Sequence, residues 1–105
     1  MHVERIHQVD SSDPDESGIC EYHYEYDIYR FTDGSTCFVA RSYTDEPDEA
    51  HFLRVETHGR PRALTRSDLT HPVFLSAQAH LHSEGKTHVR WLAREGYERI
   101  PAAAG

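Results

Sequence analysis

Polar and apolar positions alternate strictly near the start of the chain. Tyr22, Tyr24, Tyr26 and Ile28 interleave with His23, Glu25 and Asp27. A period of two predicts a half-buried strand with one aromatic and one polar face. Asp33-Gly34 marks a tight reversal, because glycine enters positive φ without a Cβ clash. Residues 36–43 then read as the returning strand. Two registers fit this hairpin. A two-residue loop pairs Thr32 with Ser35 and sets Ile28 opposite Val39. A three-residue loop with Gly34 as a bulge pairs Phe31 with Ser35 and sets Ile28 opposite Phe38, Tyr26 opposite Ala40 and Glu25 opposite Arg41. The second gathers apolar groups on one face and is preferred. Tyr29 and Phe31 break the alternation, so near the turn either both faces are covered or a bulge re-aims the strand.

Alternation returns at residues 51–57, a third strand. Residues 58–62 (H-G-R-P-R) form a basic loop broken by Gly and Pro. Thr65-Arg66-Ser67-Asp68 resembles a capping box with Asp in place of Glu. Phe74, Ala77 and Leu81 share one helical face, which predicts a helix over about residues 72–84, opened by Pro72 and closed by Gly85. Val89, Trp91 and Ala93 alternate with Arg90, Leu92 and Arg94 in a last strand. Gly96 ends it, or residues 97–100 extend it. The fold expected is α+β: a three-stranded antiparallel meander, one helix on a face, and a final C-terminal strand (β-β-β-α-β). If the helix is a crossover, the last strand runs parallel to the third and lies beside the first or the third. Residues 2–9 fit an edge strand or a loose arm. Residues 1–18 read as an arm and acidic linker, 19–100 as one domain, and 101–105 as a frayed tail.

Composition narrows the function. Leu, Ile, Val and Phe make up only 20 of 105 residues, so tyrosines must complete the core or remain as contact surface. The net charge is −7. Residues 1–57 carry 14 acids against 4 Arg, and residues 58–105 carry 7 Lys and Arg against 4 acids. Such a bipolar chain suits self-association, and an acidic chain makes a poor nucleic-acid ligand. No stretch resembles a membrane span or signal peptide, and the expected location is cytoplasmic. Cys20 and Cys37 fall too far apart on the hairpin for a disulfide and read as reduced packing thiols.

Candidate chemistry is sparse. The acidic stretches 10–18 and 44–50 lack the Gly and distal ligands of a calcium loop. Gly85-Lys86-Thr87 lacks the first Gly of a phosphate loop and runs from helix to strand. His80 and His82 point apart on a helix; His80 with Glu84 offers only two metal ligands. No nucleophile, metal or cofactor motif stands out. The leading expectation is a non-enzymatic interaction module that binds a protein or itself through Tyr22, Tyr24, Tyr26 and Trp91. Its rival is that these rings are the core. An alternative is a small anionic ligand, bound or turned over at Arg54, His58, Arg60 and Arg62. Nine His and a pI of 5.6 predict stronger self-association between about pH 6.5 and 5, as protonation brings the net charge up from −7 through zero.

Overall fold

A computed structural model describes residues 1–19 and 22–100. Cys20, and with it the expected lack of a bridge to Cys37, lies outside the described residues, as does the tail 101–105. Seven strands build one mixed sheet: β1 (His2–Ser11), β2 (His23–Asp33), β3 (Thr36–Tyr43), β4 (Glu49–Thr57), β5 (Arg60–Arg62), β6 (His88–Ala93) and β7 (Gly96–Arg99). A short 3-10 helix (Arg66–Thr70) and one α-helix, α1 (Pro72–Ser83), separate β5 from β6. The sheet order is β1-β2-β3-β4-β6-β7, with β5 beside the far half of β4. All pairs are antiparallel except β4–β6, which is parallel. The α+β expectation of a three-stranded meander with a helix and a last strand is therefore overturned: the protein is mostly β.

Three further strands are ambiguous or hidden in the sequence for physical reasons. β1 pairs with β2 along its whole length, yet all but one of its residues are exposed. Such a strand shows no apolar period. β5 is three residues long and contains Pro61, which a sheet tolerates only at an edge. Gly96 starts β7 instead of ending β6: Ala93 pairs with Gly96 and the chain reverses through Arg94-Glu95.

The first hairpin also departs from both expected registers. Asp33 pairs with Thr36 and Ile28 with Arg41. The turn residues are Gly34 and Ser35, with Gly34 at φ 59°, as a two-residue reversal with Gly first requires. A similar turn at His58-Gly59 joins β4 to β5, and His58 adopts φ 51°. That conformation costs a histidine more than an asparagine. His58→Asn is expected to raise stability by about 0.5–1 kcal/mol, read as a higher thermal midpoint; a lower midpoint would show that the His58 ring makes a contact worth more than the relieved strain.

Both faces of the sheet follow from strand parity. Tyr29 and Phe31 of β2 and Phe38 and Ala40 of β3 point to one side and are fully buried. On β4, Ala50 and Phe52 share that side, and so does Val55, three residues on. A register shift makes this possible: Val39 pairs with Arg54 but Ala40 with Phe52, so Leu53 is an extra residue that rephases the strand. Helix α1 covers this face with Val73, Phe74, Ala77 and Leu81, as its apolar spacing requires. Phe74 lies 4.5 Å from Phe52 and 5.6 Å from Phe38, ring to ring. His71 caps the helix, its Nδ1 accepting from Val73 N at 3.1 Å. Gly85 N and Lys86 N close the other end on the carbonyls of His82 and Leu81, a Schellman cap that needs Gly85 at its φ of 84°. The opposite face of the sheet carries no helix. It holds the even residues of β1 and β2.

Candidate functional site

Beyond Tyr26 the β3 ladder ends; His23–Glu25 have their ladder partners on β1, with one further bond from Thr44 N to the Glu25 carbonyl at 3.0 Å. This two-stranded ribbon extends past the helix, and the molecule is 55 Å long against 29 and 27 Å across. A two-stranded ribbon is marginal on its own in water. Here it carries Tyr22 and Tyr24, 43% and 52% exposed, and Val9, 53% exposed.

The rings form a continuous band on the open face. Tyr22 stacks on Tyr24 at 5.8 Å, Tyr24 meets Tyr43 at 6.0 Å, and Tyr43 meets Tyr26 edge-on at 5.7 Å. The Arg41 guanidinium lies 4.8 Å from the Tyr43 ring centre and 5.9 Å from that of Tyr26, within cation–π range. Arg41 also donates to the Tyr97 hydroxyl at 3.2 Å, and Tyr97 packs on His51 at 4.6 Å. The band thus crosses from the ribbon on β2 to β7 at the other edge. A hollow of about 180 Å³ borders it, lined by His23, Tyr24, Glu25, Tyr43, Thr44 and Asp45.

Of the four residues expected to make a partner surface, the structure brings Tyr22, Tyr24 and Tyr26 together. Trp91 is not with them. It is 3% exposed, on the helix face, in the core; its alternation with Arg90 and Leu92 left the choice of face open, and the parallel pairing with Phe52 decides it. Tyr43, Arg41 and Tyr97 belong to the band and were not singled out. Their signal was visible only through register, since the true pairing sets Tyr43 opposite Tyr26.

Arg54, His58, Arg60 and Arg62 do not converge. Arg54 points to the open face and holds Glu56 at 3.2 Å, while Arg30 reaches Glu56 from β2 at 3.1 Å. The two arginines flank Val39 in register and cover it, which explains a fully buried valine on a face without a helix. Arg30, aided by Arg54, holds the Glu56 carboxyl below its ordinary range. Arg62 lies on the other face, where Nη1 and Nη2 each donate to Asp68 at 2.8 Å. Arg60 and His58 are exposed at the β5 edge. The expected basic patch is two separate structural ion pairs and a turn.

A second polar cluster lies where β1 and β2 meet the end of α1. Arg5 binds Asp27 at 2.7 Å and Glu84 at 2.9 Å. His7 Nδ1 sits 3.0 Å from Asp27, and Glu84 also pairs with His80. Tyr29 donates to Glu84 at 3.2 Å. Burial, helped by Glu84, pushes the Tyr29 hydroxyl up to about 12, so it stays a donor. Every member has a partner, and among the described residues no three His, Cys, Asp or Glu are placed to hold a metal ion. This cluster pins the edge strand to the helix.

The geometry defines an open-faced, mostly-β sheet module with a tyrosine and arginine band on its uncovered side. No protein-family model, no characterised protein and no solved structure matches the chain. No helix among the described residues is long and apolar enough to cross a membrane.

Proposed function

We propose that this protein is a small non-enzymatic interaction module that binds a protein partner through the open face of its sheet. One observation carries the reading. Tyr22, Tyr24, Tyr26, Tyr43 and Tyr97 lie in a contiguous band with Arg41 on the side of the sheet opposite the helix. Tyrosine and arginine are enriched at binding hot spots, because they combine large contact area with a polar tip. Exposed rings on a two-stranded ribbon gain stability when a partner covers them. The core is complete without the band, since Tyr29, Phe31, Phe38, Phe52, Phe74 and Trp91 fill it. A cytoplasmic setting belongs to the same reading, supported by the buried free thiol of Cys37.

Substitution separates binding from folding. Tyr24→Ser with Tyr43→Ser is expected to shift the thermal midpoint by only a few degrees, while a partner retained by the wild-type protein at endogenous abundance is lost. Leu75→Ser, at a residue 46% exposed on α1, should retain it. A partner that survives the double tyrosine substitution and not Leu75→Ser would place the binding surface on the helix instead.

A further inference from the structure

One row of the open face is basic from strand to strand. Arg41 of β3 pairs with His51 of β4, His51 with Arg90 of β6, and Arg90 with Arg99 of β7. Partners directly across a ladder project to the same side. Side-chain contacts agree for Arg41 and His51, both of which Tyr97 touches; Arg90 and Arg99 are placed by the ladders and also border a hollow of about 390 Å³ shared with Gln78 and His82 of α1. Three guanidiniums and an imidazole thus stand side by side in a chain whose net charge is −7.

Among the described residues, the ion pairs of the protein include Arg5, Arg30, Arg54, Arg62 and Arg66 but none of Arg41, Arg90 and Arg99. Glu49 lies two residues from His51 on the same face; it faces Glu46, whose carboxyl it holds above its ordinary range. The Arg41 Nε is buried without a hydrogen-bond partner. Burial, with Arg41 and Arg90 adding and Glu49 opposing, keeps the His51 imidazole below its ordinary range, so the imidazole is the neutral member of the row. Like charges directly opposite one another weaken a sheet. Arg60 and Arg94 are likewise outside these ion pairs, but they stand singly on β5 and in the β6–β7 turn; the row is where such arginines stand side by side.

We propose, resting on the protein-binding reading above, that Arg41, His51, Arg90 and Arg99 form a carboxylate-recognition strip that takes an extended acidic segment of the partner protein. Spacing supports an alternating pattern. Adjacent strands are about 4.8 Å apart, so the row from Arg41 to Arg99 spans about 14 Å. In an extended peptide, residues on one side recur every 6.8 Å or so, and three acids at alternate positions span about 14 Å. The two end carboxylates then meet Arg41 and Arg99, and the middle one falls between His51 and Arg90, within reach of the Arg90 guanidinium for a charge-assisted pair; Arg41 keeps its place beside the rings of Tyr26 and Tyr43. A nucleic-acid ligand is disfavoured, because three unpaired arginines on an acidic protein neutralise few phosphates.

A fluorescein-labelled peptide of sequence Glu-Ser-Glu-Ser-Glu tests this by anisotropy at low salt. Binding is expected to weaken about tenfold or more in Arg41→Gln with Arg90→Gln, and to weaken with added salt. Arg60→Gln, at an exposed arginine off the row, should leave it unchanged. A second row variant, Arg90→Gln with Arg99→Gln, removes charges that face each other, so it should also weaken binding and melt no lower than wild type; this keeps loss of binding separate from loss of the contacts Arg41 makes with Tyr26, Tyr43 and Tyr97. No binding of the peptide by the wild type, or binding indifferent to the row variants, would overturn the proposal. So would tighter row-dependent binding of a thymidine decamer, which would indicate nucleic acid, or row-dependent dimerisation without peptide binding, which would indicate a second copy. If the peptide fails while partner retention still depends on Tyr24 and Tyr43, the strip alone is wrong; if that dependence is also missing, the protein-binding reading falls with it.

Discussion

Phe74→Ala should lower stability by about 3–5 kcal/mol, the range for a large aromatic removed from a packed core. Phe74 is fully buried and sits between Phe38 and Phe52. It is the residue through which α1 grips both central strands. A domain of this size has only about 5–15 kcal/mol in total, and a chain with 20 Leu, Ile, Val and Phe, several of them exposed, has little core to spare. Chemical denaturation should show the midpoint falling steeply with little change in slope. A loss below about 1 kcal/mol would mean that the helix contributes far less to the fold than its buried face implies.

The second large effect is expected at Asp68. Its carboxylate accepts from both Arg62 nitrogens at 2.8 Å, from Thr65 N at 2.7 Å and from the Thr65 hydroxyl at 3.0 Å. It therefore ties β5 to the start of the 3-10 helix and completes the capping box. Arg62 first, then Thr65, holds the Asp68 carboxyl down at about 2, against burial. A depressed carboxylate contributes stability above its unfolded value and loses it as pH falls through the folded one. The shift from 3.8 to about 2 corresponds to roughly 2 kcal/mol at neutral pH. Asp68→Ala should cost about 2–3 kcal/mol at pH 7. The gap between wild type and variant should close progressively from about pH 4 to pH 2. A gap that stays constant over that range would show that Asp68 acts through packing and not through its charge.

Legibility differed from element to element. The helix was plain because its apolar stripe, Pro72 and Gly85 agree with one another, and the structure bounds it at Pro72 and Ser83. The parallel course of β6 was expected only on condition that the helix is a crossover, and its place beside β4 was left open. β1 was ambiguous because exposure removes the period that marks a strand. The β2 face was misleading: the orderly tyrosine alternation marks the exposed side, while the residues that break it, Tyr29 and Phe31, are the core. Alternation shows that two faces differ; it does not say which one is covered. The Leu53 bulge hid the pairing of Phe52 with Val55 on one face for the same reason, since a period count carries no register. Tyr22, Tyr24 and Tyr26 of the band were readable from their alternation; Tyr43 and Tyr97 join it only through register. The basic row was not, because Arg41, His51, Arg90 and Arg99 are scattered along the sequence and meet only through three ladders.

The open face of the sheet as the binding surface is tested most directly by placing a photo-reactive benzophenone amino acid at single positions and irradiating the protein with its cellular partners present. Tyr24 and Tyr43 represent the band, and Leu75 the outer side of α1. The structure predicts discrete protein adducts from Tyr24 and Tyr43 that weaken when Arg41 is also replaced, and none from Leu75. Adducts of equal yield from all three positions, or from Leu75 alone, would contradict it.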